Sequence, residues 1–251
     1  MKIDLFTFGK ITIHSYGLMI GIGILCCVLM AYYRAPKKGL SKEAILDIAI
    51  YSVIAGFIGA KCLYLLVEFK SLLQHPLKIL GSSGFVVYGG LIAGVLAAII
   101  YCRKKKYVFM EYFDMAAPSI AMAQGFGRIG CFLAGCCYGR ETESFLGVVF
   151  PENSMAPGGV KLLPTQLISS AGNFLIMAVL LLYSRKAKKA GNVGILYMFL
   201  YGTGRFFVEF LRMDDRGDFW LFSTSQWISI GIIALAAVLS VKSYKKSSPV
   251  S

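Results

Sequence analysis

Long apolar runs recur along the whole chain, and they constrain its fold more than any other feature. Several contain roughly 18 or more apolar residues, enough for a helix to cross about 30 Å of hydrocarbon. Hydrophobic residues occupy 57% of the 251 positions. A water-soluble domain of this length would need far more polar surface to cover its core. The sequence therefore predicts an all-α, polytopic integral membrane protein.

Seven membrane spans are predicted from these runs. They cover 12–33, 44–67, 84–102, 112–136, 165–184, 192–212 and 225–241. Lysines and arginines cluster in alternate connections and in the C-terminal tail, most clearly in the RKKK sequence at 103–106. Because cytoplasmic loops are enriched in Lys and Arg, we expect the N-terminus outside and the C-terminus in the cytoplasm.

The chain shows no sign of a separate soluble domain, so we expect residues 1–251 to form a single transmembrane domain. Segment 140–164 is rich in Pro and Gly but keeps apolar residues, which predicts an ordered external loop or small cap. The N-terminus has no obvious cleavage site, so no removable signal peptide is predicted. The formal net charge of +13 lies largely in the predicted cytoplasmic loops, and no nucleic-acid binding is expected.

Polar residues within or beside the spans fall at one predicted depth, in the outer half of the membrane. They are His14, Tyr16, Lys61, Tyr88, Arg128, Arg205, Glu209 and Arg212. Ionisable side chains at such depths are costly and usually face the bundle interior, either paired or lining a wet cavity. The pattern predicts a polar cavity that opens to the outer side of the membrane.

An anion is the missing partner of this cavity. Arg205 and Glu209 are four residues apart, so they neutralise each other on one helix face, as many structural pairs do. That pairing does not explain Arg128 on another span, and the cavity keeps a net positive charge. Guanidinium groups match phosphate geometry. A phospholipid headgroup of the outer leaflet is the predicted ligand.

Three cysteines follow Arg128 in GRIGCFLAGCCYGR, residues 127–140. Cys131, Cys136 and Cys137 lack the C-x-x-C spacing of a typical zinc site. Three interpretations stay open: structural thiols, a disulfide between Cys131 and Cys136, and a metal site to which His14 adds a nitrogen ligand.

Glycines form two further patterns. GFGRIG (125–130) has the spacing of a dinucleotide-binding loop, but its position inside a membrane span excludes the required βαβ unit. YGG at 88–90 is typical of close helix packing with an interfacial tyrosine. Taken alone, both glycine patterns indicate close approach of helices or of a ligand.

Five motifs together resemble the prolipoprotein diacylglyceryl transferases in order and spacing, over nearly the whole chain. They are IHSYGLMIGIG (13–23), GFVVYGGLIAG (84–94), GFGRIGCFLAGCCYGR (125–140), PTQL (164–167) and YGTGRFFVEFLR (201–212). The resemblance implies transfer of the diacylglyceryl group of phosphatidylglycerol to the lipobox cysteine of a bacterial prolipoprotein. A thioether forms and glycerol phosphate leaves. The resemblance also implies a multi-pass protein of the bacterial cytoplasmic membrane that needs no cofactor. Zinc at the cysteine cluster is the alternative.

The resemblance also implies roles for individual residues. Arg128 and Arg205 would hold the phosphate, Glu209 would orient Arg205, and Tyr16 would line the lipid or thiol site. Tyr16 joins the two arginines as an expected catalytic residue, and so do Tyr88 and Cys136, which stand where the chain departs from the family pattern. Substrate contacts are expected at His14, Lys61, Gly89, Gly90, Gly127, Gly130, Cys131, Gly139, Glu209 and Arg212.

The chain departs from the family pattern at three places. Tyr88 stands where the family has His, and Lys61 stands where Arg is usual. Around Arg128 the family's Asn, Asn and Glu are replaced by Cys131, Ala134 and Cys136. The His is a natural base for the acceptor thiol. A neutral tyrosine, with an ordinary pKa of about 10, is a poor base but can donate to the departing phosphate.

These departures leave the acceptor chemistry open. One interpretation is that the thiols replace the base by holding a metal that binds the acceptor cysteine as a thiolate. Two other functions remain: an enzyme that uses phosphatidylglycerol with a different acceptor, and a non-catalytic phospholipid-binding membrane protein. A small-solute channel is disfavoured, because the charges lie near span ends rather than midplanes.

Overall fold

The computed structural model describes residues 4–8, 11–82, 84–152, 154–187, 189–213, 218–219 and 221–245. Helices dominate it. They are α1 Ser15–Arg34, a 3-10 turn Ala35–Lys38, α2 Lys42–Val67, α3 Phe69–Gln74, α4 Pro76–Leu80, α5 Val87–Lys104, α6 Phe109–Ala134, α7 Thr165–Lys186, α8 Asn192–Glu209 and α9 Thr224–Lys245. Three short antiparallel pairs complete the fold: β1 Asp4–Phe8 with β2 Ile11–His14, β3 Val148–Val149 with β4 Lys161–Leu162, and β5 Asp218–Phe219 with β6 Phe222–Ser223.

Five helical segments are long and apolar enough to cross a membrane, within the part of the chain that the structure describes. They are Ser15–Lys38, Lys42–Val67, Val87–Lys104, Thr165–Lys186 and Thr224–Ser243. The prediction of an all-α, multi-pass membrane protein is confirmed. Helices α6 and α8 coincide with the two other predicted spans but fall outside this apolar group. The count of seven crossings and their orientation stay predictions.

The chain divides into two compact units, Met1–Met30 with Phe113–Ser251, and Ala31–Tyr112. The smaller unit is built on close packing of α2 against α5. A Cβ added to Gly89 would meet the Gly59 carbonyl oxygen, and one added to Gly90 would lie 2.9 Å from the Gly56 carbonyl oxygen. Glycines permit such approach of membrane helices. The expected single transmembrane domain concerns the whole chain and stays a prediction.

The core of the larger unit lies where α6, α7 and α8 meet. Its buried apolar residues are Ala117, Ala121, Leu180, Val193 and Tyr197. Alanines on α6 leave room for the larger side chains of α7 and α8. Helices α6 and α8 carry Arg128, Arg205 and Glu209, so this packing contributes to the geometry of the site.

Segment 140–164 has a small core of its own. Strands β3 and β4 pair within it, and Phe150 and Leu162 are almost fully buried, each 2% exposed. Phe132 of α6 packs against this cluster. Phe150 and Leu162, two of the apolar residues that predicted a cap, are therefore used in packing, whereas Phe145 and Met155 are exposed. Its position outside the membrane stays a prediction.

Candidate active site

The expected pair of Arg205 and Glu209 forms in the last turns of α8. Arg205 Nη2 lies 2.8 Å from Glu209 Oε2, and the two side chains are only 12% and 6% exposed. The same Nη2 donates to Ser225 Oγ of α9 at 2.9 Å. The buried Nη1 of Arg205 has no hydrogen-bond partner among the residues that the structure describes. Nη2 of the guanidinium is thus held by two partners, and Nη1 remains as a buried donor.

Glu209 is held in turn by the start of α9. Ser223 Oγ donates to Glu209 Oε1 at 3.0 Å. Ser223 is also the N-cap of α9: its Oγ accepts from the Gln226 amide at 3.3 Å, while its own amide donates to Gln226 Oε1 at 3.0 Å. This reciprocal arrangement is a capping box. The carboxylate therefore sits at a helix N-terminus, where negative charge is favourable.

Three guanidinium groups gather at this point. Arg205 lies close enough to Arg128 of α6 and to Arg212, which follows α8, to interact electrostatically with both. Glu209 is the one carboxylate paired with Arg205 in the described parts of the chain. The cluster carries net positive charge in a largely buried setting. Such a cluster is suited to bind a planar or tetrahedral oxyanion, such as a phosphate.

Three thiols lie beside the arginines. The Sγ atoms of Cys131, Cys136 and Cys137 all lie within 4.8 Å of one another. Cys131 is three residues after Arg128 on α6, so the two side chains share a helix face. Tyr16 of α1 interacts electrostatically with Arg128 and with all three thiols. The structure therefore joins the predicted arginine and cysteine groups into one site.

Glycines let the segments around the site approach. A Cβ on Gly130 would lie 3.2 Å from the Tyr16 ring, so this position brings α1 close to α6. A Cβ on Gly139 would lie 2.7 Å from the Leu211 carbonyl oxygen and 2.8 Å from that of Leu163. Gly139 thus joins the chain that follows α6 to the chain that follows α8, where it bridges Arg212.

Gly127 and His14 are the remaining predicted site residues of this unit. A Cβ on Gly127 would meet nothing within 4 Å among the described residues, so packing there does not require glycine. His14 ends β2, is exposed, and precedes α1 by one bond. Their expected roles in substrate binding stay predictions.

Lys61 lies in the smaller unit and has partners there. Its Nζ donates to the Ser82 carbonyl at 2.7 Å and, at a longer 3.4 Å, to that of Ile79. The ammonium also lies over the rings of Tyr64 and Phe85, 5.1 and 5.4 Å from their centroids. These contacts hold the connection between α4 and α5. Binding of substrate by Lys61 stays a prediction.

Tyr88 also belongs to the smaller unit. It is the second residue of α5, and 39% of it is exposed. Gly89 and Gly90, next to it, are used for packing against α2. The predicted catalytic role of Tyr88 and the predicted substrate contacts of the two glycines stay predictions.

Some residues of the site escaped the sequence interpretation. Ser223, Ser225 and Gln226 position the Arg205–Glu209 pair, and the S-x-x-Q spacing of residues 223–226 is the signal that marks the capping box. Thr165 and Gln166, inside the PTQL motif, hold the loop of the cysteine cluster. Polarity alone did not single them out, because such side chains are common at helix starts.

Fold and site together define a class: a multi-pass helical membrane protein with a buried cationic site beside a cluster of thiols. Prolipoprotein diacylglyceryl transferase is the family whose model matches residues 4–242. The chain belongs to this family, which confirms the resemblance drawn from its motifs, and the family is one of transferases.

Curated relatives agree with this assignment. A phosphatidylglycerol–prolipoprotein diacylglyceryl transferase of Clostridium tetani is 45% identical over 249 residues, which cover 98% of this chain and 100% of the relative. A second transferase of that name from Clostridium perfringens is 46% identical over 235 residues, covering 93% and 92%. One from Halalkalibacterium halodurans is 34% identical over 240 residues, covering 92% and 82%.

Proposed function

We propose that this chain transfers the diacylglyceryl group of phosphatidylglycerol to the lipobox cysteine of prolipoproteins. The observation that carries the proposal is the buried Nη1 of Arg205, which has no partner among the described residues and lies in a cluster with Arg128 and Arg212. Family membership and the names of the relatives support the same substrates. The protein would act as a multi-pass protein of the bacterial cytoplasmic membrane, with its site in the outer half of the bilayer.

The reaction forms one bond and breaks one. The acceptor sulfur, as a thiolate, attacks the glyceryl carbon, and the bond from that carbon to the phosphate oxygen breaks. The electron pair leaves with the oxygen of glycerol phosphate, and the thiol proton passes to solvent or to the leaving phosphate. Negative charge grows on that oxygen, so fixed guanidinium donors stabilise the transition state more than the bound lipid.

Each residue of the site has a part in this proposal. Arg205 and Arg128 hold the phosphate, and Arg212 adds charge beside them. Glu209 holds Arg205 in an orientation in which the buried Nη1 has no partner among the described residues, so Nη1 would donate to the phosphate. Tyr16 lines the thiol side of the site.

The test is transfer from labelled phosphatidylglycerol to a synthetic lipobox peptide by the purified full-length chain. Glycerol phosphate release and peptide mass are followed together. We expect Arg205→Ala and Arg128→Ala each to slow both by roughly 100-fold or more, the usual effect of removing a transition-state donor. Arg205→Lys keeps the charge without the planar fork and should remain well below the parent rate. Arg185→Ala, an exposed arginine in the last turn of α7, is the matched control.

The outcomes separate the competing functions. A peptide that gains a diacylglyceryl group, with loss in the two arginine variants, supports the proposal. Glycerol phosphate release without peptide modification indicates a different acceptor. Phosphatidylglycerol binding without either product overturns the proposal in favour of a lipid-binding protein.

A further inference from the structure

The cysteine cluster has the geometry of a metal site. Its three Sγ atoms, from Cys131, Cys136 and Cys137, are mutually within 4.8 Å. Three thiolates on a tetrahedral zinc ion, with Zn–S bonds of about 2.3 Å, have sulfurs about 3.8 Å apart. A closure of about 1 Å or less therefore brings these sulfurs onto one zinc ion. A disulfide would use only two of them and would leave the convergence of the third unexplained.

The loop that presents two of the thiols is held in a costly conformation. Cys137 has φ of +65°, a left-handed backbone that is unfavourable for a residue with a side chain. Thr165 Oγ1 donates to the Cys137 carbonyl and Gln166 Nε2 to the Cys136 carbonyl, each at 2.8 Å. Both of these side chains are 1% exposed. Buried hydrogen bonds thus fix the backbone from which both sulfurs turn toward Cys131.

We propose that Cys131, Cys136 and Cys137 hold a zinc ion whose fourth position binds the acceptor cysteine as a thiolate. Thiolate ligands suit zinc, and a catalytic zinc site has three protein ligands and one open position. Zinc with three thiolates carries one net negative charge. Arg128, on the same face of α6 as Cys131, offsets that charge, and Tyr16 adds a phenol within electrostatic range of all three sulfurs.

The zinc site is inferred from the geometry of the cluster alone. The role of its fourth position rests on the proposed function. The acceptor thiol displaces a zinc-bound water and releases its proton to solvent. The bound thiolate then attacks the glyceryl carbon, glycerol phosphate leaves with the electron pair, and water replaces the thioether on zinc. A metal-bound thiol is deprotonated at neutral pH. The cluster would thus supply the activation of the acceptor thiol that a base such as His provides and that a neutral tyrosine at position 88 provides poorly.

The experiment uses the purified full-length chain, with Zn²⁺ and Co²⁺ as probes. Elemental analysis should find near-stoichiometric zinc, and Co²⁺ exchange should give the thiolate charge-transfer and tetrahedral d–d absorption of a sulfur-rich site. Cys131→Ser, Cys136→Ser and Cys137→Ser should each lose the zinc and the absorption. Cys62→Ser, an exposed thiol of α2, is the control and should keep both. A lipobox peptide should shift the cobalt bands of the parent chain, and the same peptide with Ser in place of its Cys should not.

Each outcome decides one part of the inference. Transfer activity without zinc or cobalt absorption in the parent chain overturns the metal site and leaves the proposed function intact. A disulfide within the cluster, found by mass after alkylation, or copper or iron in place of zinc, overturns it as well. A zinc site lost in the cysteine variants, with no transfer in the parent, supports the site and contradicts the function. If the lipobox peptide leaves the cobalt bands of the parent chain unchanged, the proposed role of the fourth position is overturned. This measurement uses the parent chain, so it does not depend on whether the cysteine variants fold.

Discussion

At the scale of single residues, two glycines of one motif are constrained in opposite ways. Gly139 is buried where three backbone segments meet, whereas a Cβ on Gly127 would meet nothing within 4 Å among the described residues. The first therefore serves packing. The second is available for the close approach of a ligand, which agrees with its predicted role beside Arg128.

Alanine at these two positions should separate stability from activity. Gly139→Ala places a Cβ against two carbonyl oxygens and should lower the free energy of unfolding by about 1–3 kcal/mol. Gly127→Ala, inside α6, should leave it unchanged or raise it by up to about 1 kcal/mol through helix propensity. Thermal unfolding in detergent measures both. If Gly127→Ala keeps its stability and its full transfer rate, the glycine is not needed by the substrate.

The pairing of Arg205 with Glu209 was predictable at this scale, because residues four apart on a helix are neighbours whatever surrounds them. The hydrogen bond from the same guanidinium to the hydroxyl of Ser225 was not predictable. Ser225 lies on another helix, and its closeness depends on how α8 packs against α9.

At the scale of elements, α8 depends on α6 for its first turn. Gly191 precedes α8 with a left-handed backbone and offers no side-chain cap. Asp114 of α6 caps this helix instead. Its two carboxylate oxygens accept hydrogen bonds from the Gly191 and Gly194 amides, each at 2.7 Å. A carboxylate at this end also complements the helix dipole.

Removing this cap should loosen the helix that carries Arg205. Asp114→Ala should cost about 1–2 kcal/mol of unfolding free energy, the upper range for loss of an N-cap. Asp114→Asn keeps one acceptor oxygen and should cost less. Glu111→Ala, an exposed carboxylate in the first turn of the same helix, is the control. Equal unfolding midpoints for Asp114→Ala and Glu111→Ala would contradict the capping role.

At the scale of the whole molecule, the helices that carry the charged site are the less apolar ones. Among the described residues, five segments meet the length and hydropathy of a membrane span, whereas α6 with Arg128 and α8 with Arg205 do not. A bundle can accommodate polar helices when their charged faces point inward. A topology with seven crossings and a topology with five nevertheless place two of the loops on opposite sides of the membrane.

Labelling of introduced cysteines decides between these topologies. Glu152→Cys lies in segment 140–164 and Lys189→Cys in the connection between α7 and α8, and both positions are exposed. With seven crossings and the N-terminus outside, a membrane-impermeant maleimide should add one label to the first variant in intact cells and none to the second. Five crossings, with α6 and α8 failing to span, would reverse the result. The parent chain corrects for native thiols, and permeabilised cells should label both.

The sequence by itself determined the class, the family and the pairing of Arg205 with Glu209. Hydropathy, motif spacing and helix periodicity are properties of neighbouring residues, and they survive without knowledge of the packing. They also placed Arg128 and the cysteines in one segment. They did not distinguish a metal site from structural thiols, because spacing along the chain does not determine the distances between sulfurs.

Only the tertiary structure decided how these groups are held. Ser223 reaches Glu209 across 14 residues of sequence, Gln166 reaches Cys136 across 30, and Lys61 reaches Ser82 across 21. Such contacts depend on loop paths and helix packing, which no local pattern encodes. The convergence of the three sulfurs depends on such contacts too, because buried side chains at the start of α7 hold the backbone carbonyls of Cys136 and Cys137, where Cys137 is left-handed.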